Sequence, residues 1–233
     1  MSALLRAPDV WLFTFILVFV FPALDYFLYR RLPSPAQIYL WNIFAAWTLT
    51  AVSILLIFRH HLSLSDFGQT LGTFPRTLIF SAILFALLLA LYFLNKLQKR
   101  KPSPEKLAQA TERIRKLLPT SPAEQRLWIL VSITAGFCEE FLYRGWLLNL
   151  FATASHSIWI GLLVSSFFFG LAHVYQGRSA ILSTGILGAV FGIIYIVSRT
   201  LLPSQLLHTF IDITNGLSFA RIAQRTTSTA DNC

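Results

Sequence analysis

The chain has 233 residues, 55% of them hydrophobic and only 12% charged, with a mean hydropathy of +0.63 and a formal net charge of +9. Such a composition excludes a soluble globular domain and marks an integral membrane protein. It also excludes nucleic acid as the reason for the positive charge, because the basic residues gather in short loops between apolar runs, where they orient the chain. Cys138 and Cys233 are too few for a disulfide framework and form no metal-ligand spacing, so both are expected as free thiols.

A helix that crosses a bilayer takes about 20 mostly apolar residues. Stretches that qualify run over 10–29, 36–58, 76–95, 127–151, 158–174, 180–198 and 201–220. The expected fold is therefore all-α, a polytopic transmembrane bundle of about seven spans. The first span contains Pro22 and Asp25, lacks a small-residue cleavage site before Arg30 and Arg31, and is read as retained. Asp25 either lines a cavity or sits near the inner interface, where a carboxylate is cheap, and the interface is the preferred reading. The segment 96–126 interrupts the pattern with nine Lys or Arg residues and is placed in the cytoplasm. Arg30, Arg31, Arg178, Arg221 and Arg225 then fall inside, which puts the N-terminus outside and the C-terminus in the cytoplasm. Within that segment Ser103 and Pro104 open an amphipathic helix with Leu107, Ile114, Leu117 and Leu118 on one face.

Ser121, Pro122 and Glu124 spell a capping box, so the fourth span is expected to begin in water and continue as one helix. The last three spans are joined by tight turns at Gly177–Arg178 and Arg199–Thr200. Gly188 and Gly192 are expected to let the sixth helix pack closely. His60, His61 and His156 read as solvated loop residues, and Trp11, Trp41, Trp128 and Trp159 as interfacial anchors. The chain divides into N-terminal helices (1–95), the basic loop (96–126), a helical core (127–220) and a polar tail (221–233) whose end, TTSTADNC, is expected to be disordered.

The chemistry lies in the core. Glu139, Glu140 and Arg144 sit inside an apolar run, and ionisable groups buried in a membrane mark functional sites. Glu140 and Arg144, four apart, can pair on one helix face, whereas Glu139 lies about 100° around the helix and stays available. His173 follows Phe169 by four, and His208, Asp212 and Asn215 share one stripe of the last span. Alternatives to catalysis are a polar clasp between helices or a proton relay in a transporter. The transporter reading is weakened because no two matching halves with broken helices are evident.

These three elements, EEFLYR at 139–144, FGLAH at 169–173 and HTFID at 208–212, resemble in order and spacing the EExxxR, FxxxH and HxxxN/D motifs of the CPBP family. That family comprises CAAX prenyl endopeptidases and bacteriocin-processing or immunity proteins, also called Abi. The resemblance covers roughly 127–220 and implies a catalytic core of four helices and an intramembrane endopeptidase. It further implies Glu139 as general base, His173 as the partner holding the same water, His208 and Asp212 at the oxyanion-stabilising positions, and Glu140 and Arg144 as support. Where many members have Asn, this chain has Asp212. An ionised carboxylate only accepts hydrogen bonds, so Asp212 either donates as a neutral acid or orients His208 while Asn215 supplies an amide.

The mechanism so implied needs no cofactor. The chemical alternative is a zinc ion held by Glu139, His173 and His208, and the alternative in another class is a non-catalytic binding or immunity protein. The expected partners are a membrane-associated protein or peptide substrate, lipidated or not, and the bilayer, with a bacterial plasma membrane as the location. His173 falls nearer the cytoplasmic end of its run than Glu139 and His208 do in theirs. Either the fifth helix extends past Tyr175 or the site opens through a wet cavity.

Overall fold

The computed structural model describes residues 4–71 and 115–230, together with Thr77, Ile79, Ala82 and Ala86. Apart from those four residues the expected span at 76–95, and the expected amphipathic helix from Ser103 to residue 114, lie outside the described residues. Among the described residues the chain is helical, without strands. The principal helices are α1 (Pro8–Arg31), α2 (Pro35–Arg59), α3 (Pro122–Glu140, running on through Phe141–Leu148 and Asn149–Ser155), α4 (Ile158–Ala172), α5 (Arg178–Ser198) and α6 (Leu202–Ala230).

Length and composition make α1, α2 and α5 candidate membrane spans, while α4 is apolar but has 15 residues. Their outer faces carry Leu12, Phe15, Phe44, Leu55, Leu163 and Leu182, all exposed, as a lipid-facing surface requires. The helix starts follow from capping. Ser121 Oγ accepts from the Glu124 backbone N–H at 3.2 Å and Glu124 Oε2 accepts from the Ser121 N–H at 2.9 Å, so the capping box read from the sequence opens α3. The turns at Gly177 and Arg199 are also present, with φ of 103° and 58°. Gly177 takes its backbone value without side-chain strain.

Two helices widen into π-helix, a feature not visible in the apolar pattern. In α1 the π segment is Ile16–Val20, just before Pro22. Pro22 has no N–H to donate and its ring crowds the carbonyl four residues back, so the ladder there must shift. In α3 the π segment is Phe141–Leu148 and begins directly after Glu140. All eight of its residues are buried, Arg144 and Trp146 included.

α3 is the hub of the bundle, packed on α2, α4, α5 and α6. Trp146 anchors its middle: its ring meets Phe13 of α1 edge-on at 5.1 Å and stacks on Phe67 at 5.6 Å, and its Nε1–H donates to Thr14 Oγ1 at 3.1 Å. The short turn Leu64–Phe67 that brings in Phe67 is tied to the α5–α6 turn by Leu201 N–H to the Gly68 carbonyl at 2.9 Å and by Thr200 Oγ1–H to the Thr70 carbonyl.

Several expectations are corrected. α6 does not end near residue 220 in a disordered tail but stays helical to Ala230, each further residue adding a backbone hydrogen bond to an existing helix. Leu117 and Leu118 do not continue an amphipathic α-helix. Arg115–Leu117 is a 3-10 turn, and both leucines are buried, with the Leu117 carbonyl accepting from Tyr39 Oη at 2.6 Å. His60 is not merely solvated but contacts Asp9 at 3.3 Å, joining the start of α1 to the end of α2.

α3 crosses α6 at Gly136. A Cβ there would come within 2.8 Å of the Gln205 carbonyl oxygen and the Thr209 backbone nitrogen. Backbone atoms cannot yield as a side-chain tip can. Gly136→Ala is therefore expected to push the two helices apart and to cost about 1–3 kcal/mol, read as a lowered thermal midpoint of the detergent-purified protein.

Candidate active site

The charged residues of α3 are held from three directions. Glu140 and Arg144 are fully buried and paired, Arg144 Nη1 lying 2.8 Å from Glu140 Oε1. The guanidinium also sits 4.1 Å above the Phe169 ring of α4 and 5.4 Å from that of Phe191 on α5. Cation–π attraction thus supplements the single ion pair. Gly188 of α5 makes the space, because a Cβ at that position would stand 2.8 Å from Arg144 Nη2 and 2.9 Å from Phe169 Cδ1. The glycine spacing expected for close packing has this specific use at Gly188, while at Gly192 it admits Leu162.

Glu140 has a second partner. Its Oε1 lies 3.0 Å from His208 Nδ1 of α6, so one buried oxygen links Arg144 to His208 across two helices. The imidazole is held flat by stacking on Phe191, at 5.0 Å with an interplanar angle of 22°. Its other nitrogen, Nε2, lies 3.5 Å from Asp212 Oδ2 and 3.9 Å from Glu139 Oε2. Both separations exceed the usual N–H···O limit of about 3.2 Å. Nε2 is therefore pointed at carboxylates without being committed to either.

Glu139 faces away from the buried pair, as its position on the helix requires, and its Oε2 has no hydrogen-bond partner among the described residues. His173 caps α4, and its Nδ1 lies 2.8 Å from the Phe169 carbonyl oxygen. A carbonyl can only accept, so Nδ1 carries the hydrogen and the neutral ring presents Nε2 as a lone pair. Glu139, His173, His208, Asp212 and Asn215 all line one cavity of about 430 Å³. Asn215 is exposed and stands further out along α6. The expected extension of α4 past Tyr175 is not present: the helix ends at Ala172, and a 3-10 turn, Val174–Gln176, carries Tyr175 and Gln176 into the cavity wall. Among the described residues no group of three or more His, Cys, Asp and Glu side chains is arranged to hold a metal ion.

Some site residues escaped the sequence reading. Of the two positions open to Asp25, the cavity is the one observed: it is 6% exposed and lines the wall, with Oδ1 accepting from Trp41 Nε1 at 3.1 Å. Trp41 is accordingly a partner of Asp25 as well as a residue near a span end. Trp128 is likewise a cavity wall, its Nε1–H donating to the Asp212 carbonyl at 3.0 Å. Trp159, at 61% exposed, is free to meet lipid as expected. Tyr143, inside the EEFLYR stretch, is buried in the wall with its hydroxyl unpartnered among the described residues. Asp25 beside Pro22 and Tyr143 beside Arg144 were the available signals, but neither says which way a side chain turns.

The segment that builds this geometry also carries the family signature. Residues 123–214 match the family described as Rce1-like, Type II CAAX prenyl endopeptidase. All three motifs fall within the match, which supports the CAAX protease family that they resemble. The comparisons with curated proteins and with solved structures returned no match.

Removing Arg144 would leave Glu140 buried without its cation. Arg144→Ala is expected to destabilise the protein by about 3–5 kcal/mol, and the double change Glu140→Gln with Arg144→Met by much less. Thermal unfolding of the single and double variants in detergent measures the difference.

Proposed function

We propose that the chain is an intramembrane endopeptidase of the glutamate type, hydrolysing a peptide bond of a membrane-associated protein or peptide, lipidated or not. The observation that carries this reading is the convergence of Glu139, His173 and His208, from three separate helices, on one cavity. Seven spans with the N-terminus outside and the C-terminus in the cytoplasm, in a bacterial plasma membrane, complete the proposal.

The chemistry follows from donors and acceptors. A water in the cavity donates one hydrogen to the Glu139 carboxylate and the other to the lone pair on His173 Nε2. Glu139 takes the proton as the water oxygen attacks the peptide carbonyl carbon. The carbonyl oxygen gains negative charge and receives a hydrogen bond from His208 Nε2–H; because Nδ1–H is given to the Glu140 carboxylate, this role takes His208 as the imidazolium, and the contact with Asp212 is too long to hold Nε2–H back. Glu139 then passes the proton to the amide nitrogen, the C–N bond breaks, and an acid and an amine leave. In this scheme Asp212 orients His208, because an ionised carboxylate would repel the developing oxyanion. The Glu140–Arg144 pair fixes His208 from behind.

Glu139→Gln and His173→Ala are each expected to lower hydrolysis of a peptide library in proteoliposomes by about 10²–10⁴-fold. Cleavage unaffected by both changes would remove the assignment, and no cleavage by the parent protein would favour a binding or immunity protein. Asp212→Asn keeps the shape and is expected to retain turnover within about tenfold; a folded but inert variant would give Asp212 a direct part in the chemistry. The same assay in chelator separates the proposal from a zinc peptidase. Activity is expected to persist, and a loss restored by zinc would favour the metal.

A further inference from the structure

The cavity is acidic although the chain is not. Its ionisable wall consists of Asp25, Glu139, Asp212, His173 and His208, and no Lys or Arg lines it among the described residues, in a chain with a net charge of +9. The peptidase chemistry uses Glu139, Asp212 and the two histidines. Asp25 is left over.

Asp25 comes from α1, outside the segment that matches the family. It is 6% exposed, and its hydrogen bond from Trp41 Nε1 occupies only Oδ1. Oδ2 receives no hydrogen bond from a described residue. A clasp between α1 and α2 would need no more than a neutral acceptor, and a carboxylate in a span is a costly way to provide one. A second buried group points to a ligand in the same space. Tyr143 is 3% exposed and lines the cavity, and its hydroxyl has no partner among the described residues. Tyr39, Tyr175 and Trp128 add aromatic walls, whose faces attract cations.

We propose that the Asp25 side of the cavity is a subsite for a cationic side chain of the peptide, a lysine ammonium or an arginine guanidinium, and that it sets substrate preference. The Asp25 carboxylate supplies the charge, while the Tyr143 hydroxyl and the aromatic walls complete the cradle. The helices outside the matched segment thus choose the peptide that the matched segment cuts. This deepens the peptidase reading and depends on it for the identity of the ligand.

The test reads binding, so that it does not require turnover. Capped nonapeptides of alanine and leucine carry a single lysine scanned through all positions, with norleucine counterparts of the same shape. Their Kd values are measured on full-length protein in lipid nanodiscs in a His173→Ala background, which holds hydrolysis off without altering the cavity's carboxylates. At one position of the scan lysine is expected to bind at least tenfold tighter than norleucine. Adding Asp25→Asn, which can still accept from Trp41, should bring the two within about twofold, whereas Asp25→Glu should restore the preference. An absent preference, or one that Asp25→Asn leaves in place, overturns the subsite. Failure of the peptidase reading shows elsewhere, as cleavage by the parent protein that Glu139→Gln does not change.

Discussion

One buried carboxylate oxygen organises this protein. Glu140 Oε1 is shared between the Arg144 guanidinium at 2.8 Å and the His208 imidazole at 3.0 Å, in a region with no bulk water to solvate any of the three. Ions so buried persist only where their geometry is satisfied on several sides. The consequences propagate outwards. α5 must present a glycine to the guanidinium, Phe169 and Phe191 must lie against it, and α6 must approach α3 closely enough for the imidazole to reach. Fixing His208 in this way also fixes what its second nitrogen can face.

The site consequently has two layers. Behind, Glu140, Arg144 and the aromatic rings form a buried support. In front, Glu139, His173 Nε2, His208 Nε2 and Asp212 border a cavity large enough for a peptide segment, with contacts deliberately loose by hydrogen-bond standards. Adjacent residues on one helix serve the two layers. The π-helix that begins after Glu140 keeps eight successive residues buried and carries Arg144 and Tyr143 within it. Such widened turns gather at functional positions because they re-aim side chains that a regular helix would place elsewhere.

The front wall is not supplied by the motif-bearing helices alone. Asp25, Tyr39 and Asn42 from α1 and α2 close it, as do Leu117 and Leu118 ahead of α3. None of these belongs to the segment matched to the CAAX protease family, which starts at residue 123. Site residues inside the matched segment and wall residues outside it are compatible in this arrangement. The former need fixed donors and acceptors, and the latter need only to border the same space.

The sequence by itself determined the helical class, the membrane setting, the α3 capping box, the turns at Gly177 and Arg199, and the pairing of Glu140 with Arg144. All of these are local: apolar length, turn chemistry and i,i+4 geometry act within one helix or between neighbours. Tertiary structure alone decided that His208 turns one nitrogen to Glu140, that Gly188 yields its space to a guanidinium, and that Asp25 lines the cavity while accepting a hydrogen bond from Trp41. It also decided where α3 widens and how far α6 continues. Each of these depends on which faces of distant helices meet. Periodicity gives the direction of a side chain around its own axis but not the axis it will face, because that choice is made only when the buried charges and the glycine contacts of all the helices are satisfied together.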